Sequence, residues 1–417
     1  MNLNINVDRV VDELQRLATF SACPDPPPAV TRVVFTQEDM AARKYLRSLF
    51  ESAGLVVRND AVGNIFARWV GSQPDQPVVG TGSHTDAIPF SGMYDGTVGV
   101  LGGLEAIRAL QDAGFKPMRS IELLMFTSEE PTRFGMGCTG SRVMAGQLDH
   151  DALEALVDSD GDTYNLVRQR AGFDGDVADA ALDRSYYHAW VELHIEQGPE
   201  LEQAGLPIGI VTAIAAPATM IVKVHGQGGH AGAVLMPKRH DALAASAEMI
   251  QAIEKHVLES SSDDTVGTVG ELDVHPGAVN SIPSEVRFTI DLRDVSLASR
   301  DEVKTKIESD LQSIGQRRGV KVDCETLNAD PPVTASADLI EAAEQACQDS
   351  RLKYQRMVSR AYHDSLFLAQ LSPFTMLFIP CRDGVSHRPD EYSSPDQIGS
   401  GVEVLARTLA KLSTAAL

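Results

Sequence analysis

The sequence predicts an α/β protein in which a mixed sheet flanked by helices forms the larger domain and an α+β domain is inserted into it. Three observations support this prediction. The chain has 417 residues, which is more than one hydrophobic core usually serves. Short apolar runs alternate with helical patterns in the first half of the chain and again from Pro331. Strand patterns dominate in between. We therefore predict one domain from residues 1–212 and 331–417, and a second from residues 213–330.

The N-terminal part of the chain predicts helices followed by strands. Apolar residues recur at helical spacing over Val7–Leu17, which predicts a first helix. The proline-rich stretch Cys23–Pro28 predicts a loop. A second helix is predicted over Thr36–Gly54, because acidic residues occupy its first turn and a glycine ends it. Short strands are predicted at Leu55–Val57 and Ile65–Val70.

The stretch Gly80–Gly96 is rich in residues that bind metals. The apolar run Pro77–Gly80 before it predicts a buried parallel strand that leads to His84. Ligands of open α/β sheets bind at that edge, so His84, Asp86 and Asp95 are placed for chemistry. We predict that the Asp86 carboxylate accepts the second ring N–H of His84. A polar strand end without a metal is the alternative, and it is the commoner outcome for a single His-x-Asp.

The next helix and strand lead to a pair of acidic residues. A helix over Thr97–Leu110 is rich in glycine and alanine, so it can lie close to the sheet. The strand Ser120–Thr127 is followed by Glu129 and Glu130. Neighbouring residues of an extended chain point to opposite sides, so one can bind a metal while the other acts as an acid or base. A solvated turn is the alternative. The glycine-rich loop Arg133–Ser141 lacks the lysine of a phosphate-binding motif.

The remaining elements alternate in type along the chain. The strand Tyr187–Leu193 ends at His194, so a third strand end carries an imidazole or carboxylate. Val286–Arg293 alternates apolar and polar residues, which predicts a half-exposed sheet with Arg293 on the exposed face. The acidic segment 149–183 predicts surface helices and loops. The other predicted strands are Ile208–Ile214, Met220–His225, Thr265–Val274, Lys353–Val358 and Thr375–Ile379, and the other helices are His240–Glu254, Ser299–Ile314, Asp338–Cys347 and Gln397–Leu412.

Composition narrows the class of function. The net charge of −22 argues against nucleic-acid binding and against adsorption to anionic membranes, so a small-molecule substrate is expected. No apolar run approaches the roughly 20 residues that span a bilayer, and the N-terminus lacks the basic region of a signal peptide, so we expect a cytoplasmic protein. The five cysteines are scattered without Cys-x-x-Cys spacing, which favours reduced, structural thiols.

The combined set of metal-binding residues is far more specific than any one of them. His84, Asp95, Glu130, His194 and His387 are spread over the chain, each beyond a predicted strand, with Glu129 beside them. Over essentially its whole length the chain resembles the M20 family of dinuclear metallohydrolases, in its hydantoinase/carbamoylase branch of ureide amidohydrolases. The motif His194–Pro199 is typical of that branch. Within that branch, the sequence is most similar to the plant-type ureidoglycolate amidohydrolases. The similar stretches are Asp86–Gly96, Phe126–Gly135, Gly229–Pro237, His256–Ser260 and Ser359–Phe367.

The resemblance implies a metal site and a hydrolytic activity. It implies two divalent ions per subunit, with manganese preferred and zinc or cobalt as alternatives. One ion would be held by His84, Asp95 and His194, the other by Asp95, Glu130 and His387. Glu129 would be the general base, with Asp86 and His230 as further catalytic residues. The implied substrate is a linear ureide carboxylate, most similar to ureidoglycolate. Allantoate and N-carbamoyl-L-amino acids or β-ureidopropionate are the alternatives, and a catalytically inactive small-molecule sensor on the same fold is the alternative of another class.

The resemblance also implies the substrate-binding residues and the partner. The implied substrate-binding residues are Gln197, His230, Asn280, Arg293, Tyr362 and His363. Without the resemblance, His230 and Asn280 are ordinary turn residues, and Arg293 is an exposed arginine of a sheet. His363 can equally be a buried structural histidine. The inserted domain resembles the lid and dimerisation domain of the family, so a homodimer is expected, with neither a nucleic acid nor a membrane as partner.

Overall fold

The protein, described by a computed structural model over residues 1–24 and 29–414, divides into two compact units. The first comprises Met1–Thr212, Ala335–Met357 and His363–Leu417, and the second comprises Ala213–Thr334 and Val358–Tyr362. The second unit thus interrupts the chain of the first. Of the predicted loop Cys23–Pro28, residues 25–28 lie outside the described part of the chain.

Twelve α-helices occur within residues 1–24 and 29–414. They are α1 (Val7–Ala18), α2 (Gln37–Ser52), α3 (Thr97–Asp112), α4 (Thr139–Met144), α5 (His150–Ala155), α6 (Tyr164–Arg170), α7 (Glu200–Ala204), α8 (Ala242–Leu258), α9 (Leu297–Arg318), α10 (Ala337–Asp349), α11 (Ser365–Leu368) and α12 (Pro395–Thr414). The long helices were all predicted, and the predicted start of α2 is confirmed because the Thr36 side chain caps it by accepting the N–H of Asp39. In the part of the chain that is described, no helix combines the length and the apolar character that crossing a bilayer requires.

The strands form two main sheets and two short pairs. They are β1 (Val30–Arg32), β2 (Val56–Asn59), β3 (Ile65–Trp69), β4 (Val78–His84), β5 (Ala87–Ser91), β6 (Ile121–Phe126), β7 (Tyr187–Ile195), β8 (Ile208–Ile214), β9 (Ala216–His225), β10 (Gly229–His230), β11 (Val266–Thr268), β12 (Leu272–His275), β13 (Ser281–Ile282), β14 (Glu285–Asp294), β15 (Lys321–Ala329), β16 (Val333–Thr334), β17 (Tyr354–Ser359) and β18 (Phe374–Ile379). The single strand predicted at Thr265–Val274 is instead two strands, β11 and β12, because the intervening residues leave the ladder with β14.

The sheet of the first unit is mixed, as predicted. Its strands follow the order β8-β18-β7-β4-β6-β3-β2. The four central strands β18, β7, β4 and β6 run parallel, whereas β8, β3 and β2 pair antiparallel with their neighbours. Strands β4 and β6 are buried along their whole length. Because the central strands are parallel, their C-terminal ends meet at one edge of the sheet, where the polar residues of the site follow them.

Helix α3 lies directly against the central strands. Most of its residues are buried, and its glycines bring the backbone into the sheet. A Cβ atom added at Gly99 would come within 2.3 Å of the carbonyl oxygen of Leu193 and 2.7 Å of the Ser83 Cβ. The close packing predicted from the glycine and alanine content is therefore confirmed, and it determines how near the helix lies to the strand ends.

The second unit is an antiparallel sheet covered by two helices. Its strands follow the order β11-β14-β9-β15, with β12 also paired to β14. Helices α8 and α9 contribute to one core together with the inward side chains of β9 and β14. The alternation predicted for β14 is confirmed, since Val286, Phe288, Ile290 and Leu292 are fully buried. The intervening polar residues, among them Arg293, lie on the opposite face.

Candidate metal centre

Five chain segments of the first unit carry the predicted metal ligands. His84 is the last residue of β4, and His194 is the penultimate residue of β7. Glu130 follows β6, and Asp95 lies between β5 and α3. His387 comes from the loop that precedes α12. The parallel strand ends and two long loops thus converge on Asp95.

One donor set consists of His84, His194 and one oxygen of Asp95. The Asp95 Oδ1 atom lies 3.2 Å from His194 Nε2 and 3.6 Å from His84 Nε2. Both histidine rings are buried, and their Nδ1 atoms face backbone carbonyl oxygens, that of Asp86 at 3.0 Å and that of Ile195 at 2.9 Å. A proton on each Nδ1 satisfies these carbonyls and leaves the Nε2 lone pairs directed at the shared site.

A second donor set consists of Glu130, His387 and the other oxygen of Asp95. The His387 Nε2 atom lies 3.3 Å from Asp95 Oδ2 and 3.4 Å from Glu130 Oε1. The His387 side chain is 48% exposed, in contrast to the two buried histidines. Asp95 therefore offers one oxygen to each donor set and joins them.

The donor atoms fit two divalent cations. Ligands held at about 2.0–2.2 Å in a tetrahedral site lie roughly 3.3–3.6 Å from one another, and the four separations given above span 3.2–3.6 Å. Imidazole nitrogens and carboxylate oxygens suit zinc, manganese and cobalt. A carboxylate between two cations also offsets their mutual repulsion. The residues present therefore fit the two ions that the family resemblance implies.

Burial makes two acidic residues of the site, Glu129 and Glu130, difficult to ionise without cations. Burial, followed by the neighbouring Asp95, raises the pKa of Glu130 to about 7. Burial likewise raises the pKa of Glu129 well above its ordinary value, against the opposing effect of His84. Divalent cations would supply the positive charge that such a buried acidic cluster requires.

Glu129 lies beside the first donor set and precedes Glu130 of the second in the chain, but it belongs to neither set. Its Oε2 atom lies 3.7 Å from His84 Nε2, and its Oε1 atom accepts a hydrogen bond from the Cys138 thiol at 3.6 Å. Among the described residues, two groups of potential metal ligands contain Asp95, and Glu129 belongs to neither of them. Glu129 and Glu130 thus face different partners, as expected for adjacent residues.

Asp86 supports the site in a different way from the predicted one. The ring N–H of His84 is directed at the backbone oxygen of Asp86, whereas the Asp86 carboxylate lies 3.8 Å from that nitrogen. The carboxylate instead accepts the backbone N–H groups of Glu129 at 3.3 Å and Glu130 at 3.0 Å. The prediction was wrong about the accepting atom, because these two amides would otherwise be buried without partners.

Two more of the predicted substrate-binding residues lie in the first unit. Gln197 donates from Nε2 to Asp95 Oδ2 at 2.8 Å, so it orients the shared carboxylate. His363 is buried and packs edge-on against His194, with 4.6 Å between ring centroids. A third group of potential metal ligands consists of Glu192, His194 and His363. Its carboxylate already accepts hydrogen bonds from the hydroxyls of Ser83 and Ser365. We interpret that group as a structural network.

The other predicted substrate-binding residues belong to the second unit. His230 and Asn280 are exposed, and they lie near each other because the N–H of Ala231 donates to the Asn280 carbonyl. Arg293 donates to both oxygens of Asp291 at 2.7 and 3.0 Å. Tyr362 donates its hydroxyl to Asp330 Oδ2 at 2.5 Å. Arg293 and Tyr362 thus already have acidic partners on the same unit.

Glu391 and Ser386 are site residues that the sequence reasoning missed. The Glu391 Oε1 atom accepts the backbone N–H groups of Tyr94 at 2.8 Å and Asp95 at 3.0 Å. Ser386 Oγ lies 2.7 Å from Asp95 Oδ2 and 3.0 Å from Glu391 Oε2. Their proximity to His387 in the sequence was the one available signal, and it does not reveal contacts with a loop 297 positions away.

Known proteins are similar to this chain over most of its length. Residues 80–411 match the family model "Peptidase family M20/M25/M40". A ureidoglycolate hydrolase of Arabidopsis thaliana is 51% identical over 419 residues, which is 99% of this chain and 88% of that protein. An N-carbamoyl-L-amino acid amidohydrolase of Geobacillus stearothermophilus is 40% identical over 388 residues, 93% of this chain and 94% of that one. The crystal structure of AtUAH in complex with glyoxylate superposes with a TM-score of 0.90 at 50% identity, covering 99% of this chain and 98% of that chain.

Proposed function

The chain belongs to peptidase family M20/M25/M40, and from this premise we propose that it is a metal-dependent amidohydrolase that hydrolyses ureidoglycolate. One observation carries the proposal: two donor sets share Asp95, and Glu129 stands beside them outside both sets. The similarity to a ureidoglycolate hydrolase over nearly the whole chain supports the choice of substrate.

The chemistry of the reaction requires such a site. A ureide carbon is a poor electrophile because two nitrogens donate electrons to it. Divalent cations, when bound by the five ligands, would polarise the ureide oxygen and acidify water. We propose manganese as the native ion, with zinc and cobalt as the alternatives.

We propose that Glu129 moves the proton. Its carboxylate is buried and lies 3.7 Å from His84 of the first donor set, and the next residue, Glu130, belongs to the second set. In this position Glu129 would reach a water and a leaving nitrogen bound between the two sets. Glu129 takes a proton from water as the water oxygen bonds to the ureide carbon, and it returns that proton to the terminal nitrogen as the C–N bond breaks. Ammonia leaves, and carbon dioxide and a second ammonia follow to leave glyoxylate.

We propose substrate-binding roles for six residues on the similarity of their motifs. Arg293 and Asn280 would bind the substrate carboxylate, because a guanidinium matches a carboxylate bidentately. His230 would stabilise the developing oxyanion. Gln197, Tyr362 and His363 would contact the remaining polar groups. The Arg293 pairing with Asp291 implies that substrate binding exchanges one carboxylate partner for another.

A substrate panel tests the function. Protein freed of metal and reloaded with Mn²⁺ is assayed for ammonia release from ureidoglycolate, allantoate and N-carbamoyl-L-amino acids. We expect kcat/KM to fall in that order, since a site that pairs a substrate hydroxyl rejects analogues without it by up to about 10⁴-fold. Equal or higher kcat/KM with an N-carbamoyl amino acid would assign the chain to the carbamoylases. Binding without turnover of any ureide would identify a sensor.

We also propose that the protein is a homodimer that pairs through the second unit. Strand β15 is an edge strand of that unit's sheet, and most of its side chains are exposed, including the apolar Leu327. Light scattering at micromolar protein concentration should therefore give twice the mass of the 44.9 kDa chain. Replacing Leu327 by lysine should shift the mass towards the monomer, and a monomeric, fully active wild-type protein would contradict the proposal.

A further inference from the structure

We propose that Glu391 is a positioning residue that makes the second donor set, Asp95 with Glu130 and His387, able to hold its ion. This inference rests on the proposed metal-dependent function. It concerns the geometry of the chain's own loops, so it can be tested by metal binding without any substrate.

Glu391 joins the two loops that supply the second donor set. It lies four residues after His387, and its side chain is 4% exposed. Its Oε1 atom accepts the N–H groups of Tyr94 and Asp95, which belong to the loop before α3. One side chain therefore fixes the His387 loop to the backbone of Asp95.

Ser386 extends the connection to the metal-facing oxygen of Asp95. Its Oγ atom lies within hydrogen-bond distance of both Asp95 Oδ2 and Glu391 Oε2, at 2.7 and 3.0 Å. The three side chains form one chain of polar contacts that ends on the oxygen nearest His387. The orientation of that oxygen thus depends on where Glu391 holds Ser386, together with the hydrogen bond from Gln197.

His387 needs this support more than the other two histidines do. Its side chain is about half exposed, so packing does not fix its ring. Its backbone φ is +58°, a left-handed conformation that an L residue keeps only when its surroundings impose it. His84 and His194, by contrast, are buried at strand ends. The second donor set is therefore the less preorganised one, and Glu391 is the contact that fixes it.

Two substitutions separate the reach of Glu391 from its charge. Glu391→Gln keeps the length, since its amide oxygen can accept both backbone N–H groups and its NH₂ can donate to Ser386. Glu391→Asp keeps the charge but withdraws the carboxylate by about 1.5 Å, one C–C bond. Glu391→Ala removes both. A matched control is Asp294→Ala, because Asp294 is also fully buried and accepts a backbone N–H and hydroxyls, from Ser296, Ser262 and Thr265, but belongs to the second unit.

The test is a titration of metal-free protein with Mn²⁺ by calorimetry, with metal content measured after dialysis and folding checked by circular dichroism. We expect two ions in the wild type, in Glu391→Gln and in Asp294→Ala. We expect Glu391→Asp and Glu391→Ala to hold the first ion normally and to bind the second about 10–100-fold more weakly. If Glu391→Ala does not fold, the Asp and Gln variants still decide.

Several results would overturn the inference. The inference is wrong if Glu391→Asp and Glu391→Ala bind two ions with wild-type affinity. It is also wrong if Glu391→Gln binds the second ion as weakly as Glu391→Ala does, or if the wild type binds fewer than two ions. Failure of the proposed function looks different. A wild type that binds two ions, loses the second in Glu391→Asp and hydrolyses no ureide would disprove the substrate while supporting the role of Glu391.

Discussion

At the scale of single residues, two neighbouring carboxylates of this protein have different surroundings. Glu130 faces His387 and lies in the second donor set, whereas Glu129 faces His84 and the Cys138 thiol. The Asp86 carboxylate accepts hydrogen bonds from the backbone N–H groups of both residues. The two side chains thus face different partners, and their roles should be separable by substitution.

We predict that Glu129→Gln keeps both ions and loses turnover, whereas Glu130→Ala loses an ion. The amide cannot take a proton from water, so kcat of Glu129→Gln should fall by about 10²-fold or more. Metal analysis and steady-state kinetics on the same preparations check both statements. Near-normal turnover of Glu129→Gln would show that another group moves the proton.

Two predicted substrate-binding residues of the second unit have acidic partners in the structure. Arg293 and Tyr362 were predicted to bind substrate, and in the structure each makes hydrogen bonds to an aspartate, Asp291 and Asp330 respectively. Their substrate-binding roles stay predictions. Arg293→Lys is the informative change, because lysine keeps the charge and loses the bidentate geometry.

At the scale of secondary-structure elements, helix α3 controls the position of the site. It packs on β4 and β7, whose last residues include His84 and His194. Gly96, which precedes it, has a φ of +65°, and a Cβ there would lie 2.4 Å from His84 Nε2. The close approach of helix and strands is therefore part of what brings the ligands together.

We predict that Gly99→Ala destabilises the protein by about 1–3 kcal/mol, because the added methyl group has no space against the Leu193 carbonyl. It should also weaken metal binding, since the helix can only make room by moving away from the strand ends. Urea unfolding and calorimetry measure the two effects.

Gly270→Ala is the control for this change. A Cβ at Gly270 would meet no atom within 4 Å, so stability should change by less than about 0.5 kcal/mol. Equal effects of the two substitutions would mean that steric contact with the sheet is not the cause.

At the scale of the whole molecule, the ions should contribute to stability as well as to catalysis. The site joins β4, β7 and the loops carrying Asp95, Glu130 and His387 within the first unit. A metal ion that binds the folded chain and not the unfolded chain stabilises the folded state by mass action. The buried acidic residues strengthen this dependence, since without cations they raise the electrostatic free energy of the folded state.

We predict that removal of metal with a chelator lowers the free energy of unfolding. Each ion should contribute about 4 kcal/mol when free metal exceeds its dissociation constant a thousandfold. Scanning calorimetry with and without Mn²⁺ measures the difference, and Glu130→Ala should retain only part of it. A melting temperature that does not respond to metal would exclude binding at the predicted sites.

The cytoplasmic location stays a prediction.

The sequence by itself determined the fold class, the main elements and the types of residue at the metal centre. Those properties depend on local patterns: apolar periods identify strands and helices, and parallel strands bring their ends to one edge. His84, Glu130 and His194 could be predicted because each lies at or just beyond such an end.

Only the tertiary structure decided which atoms meet. It directs His84 towards the Asp86 carbonyl rather than its carboxylate, and it brings Glu391 to the amides of Tyr94 and Asp95. Contacts between loops hundreds of positions apart follow from how helices and sheets pack, and no period in the sequence encodes them. The physical reason is that a buried N–H or carboxylate takes whichever partner the packed chain brings within reach.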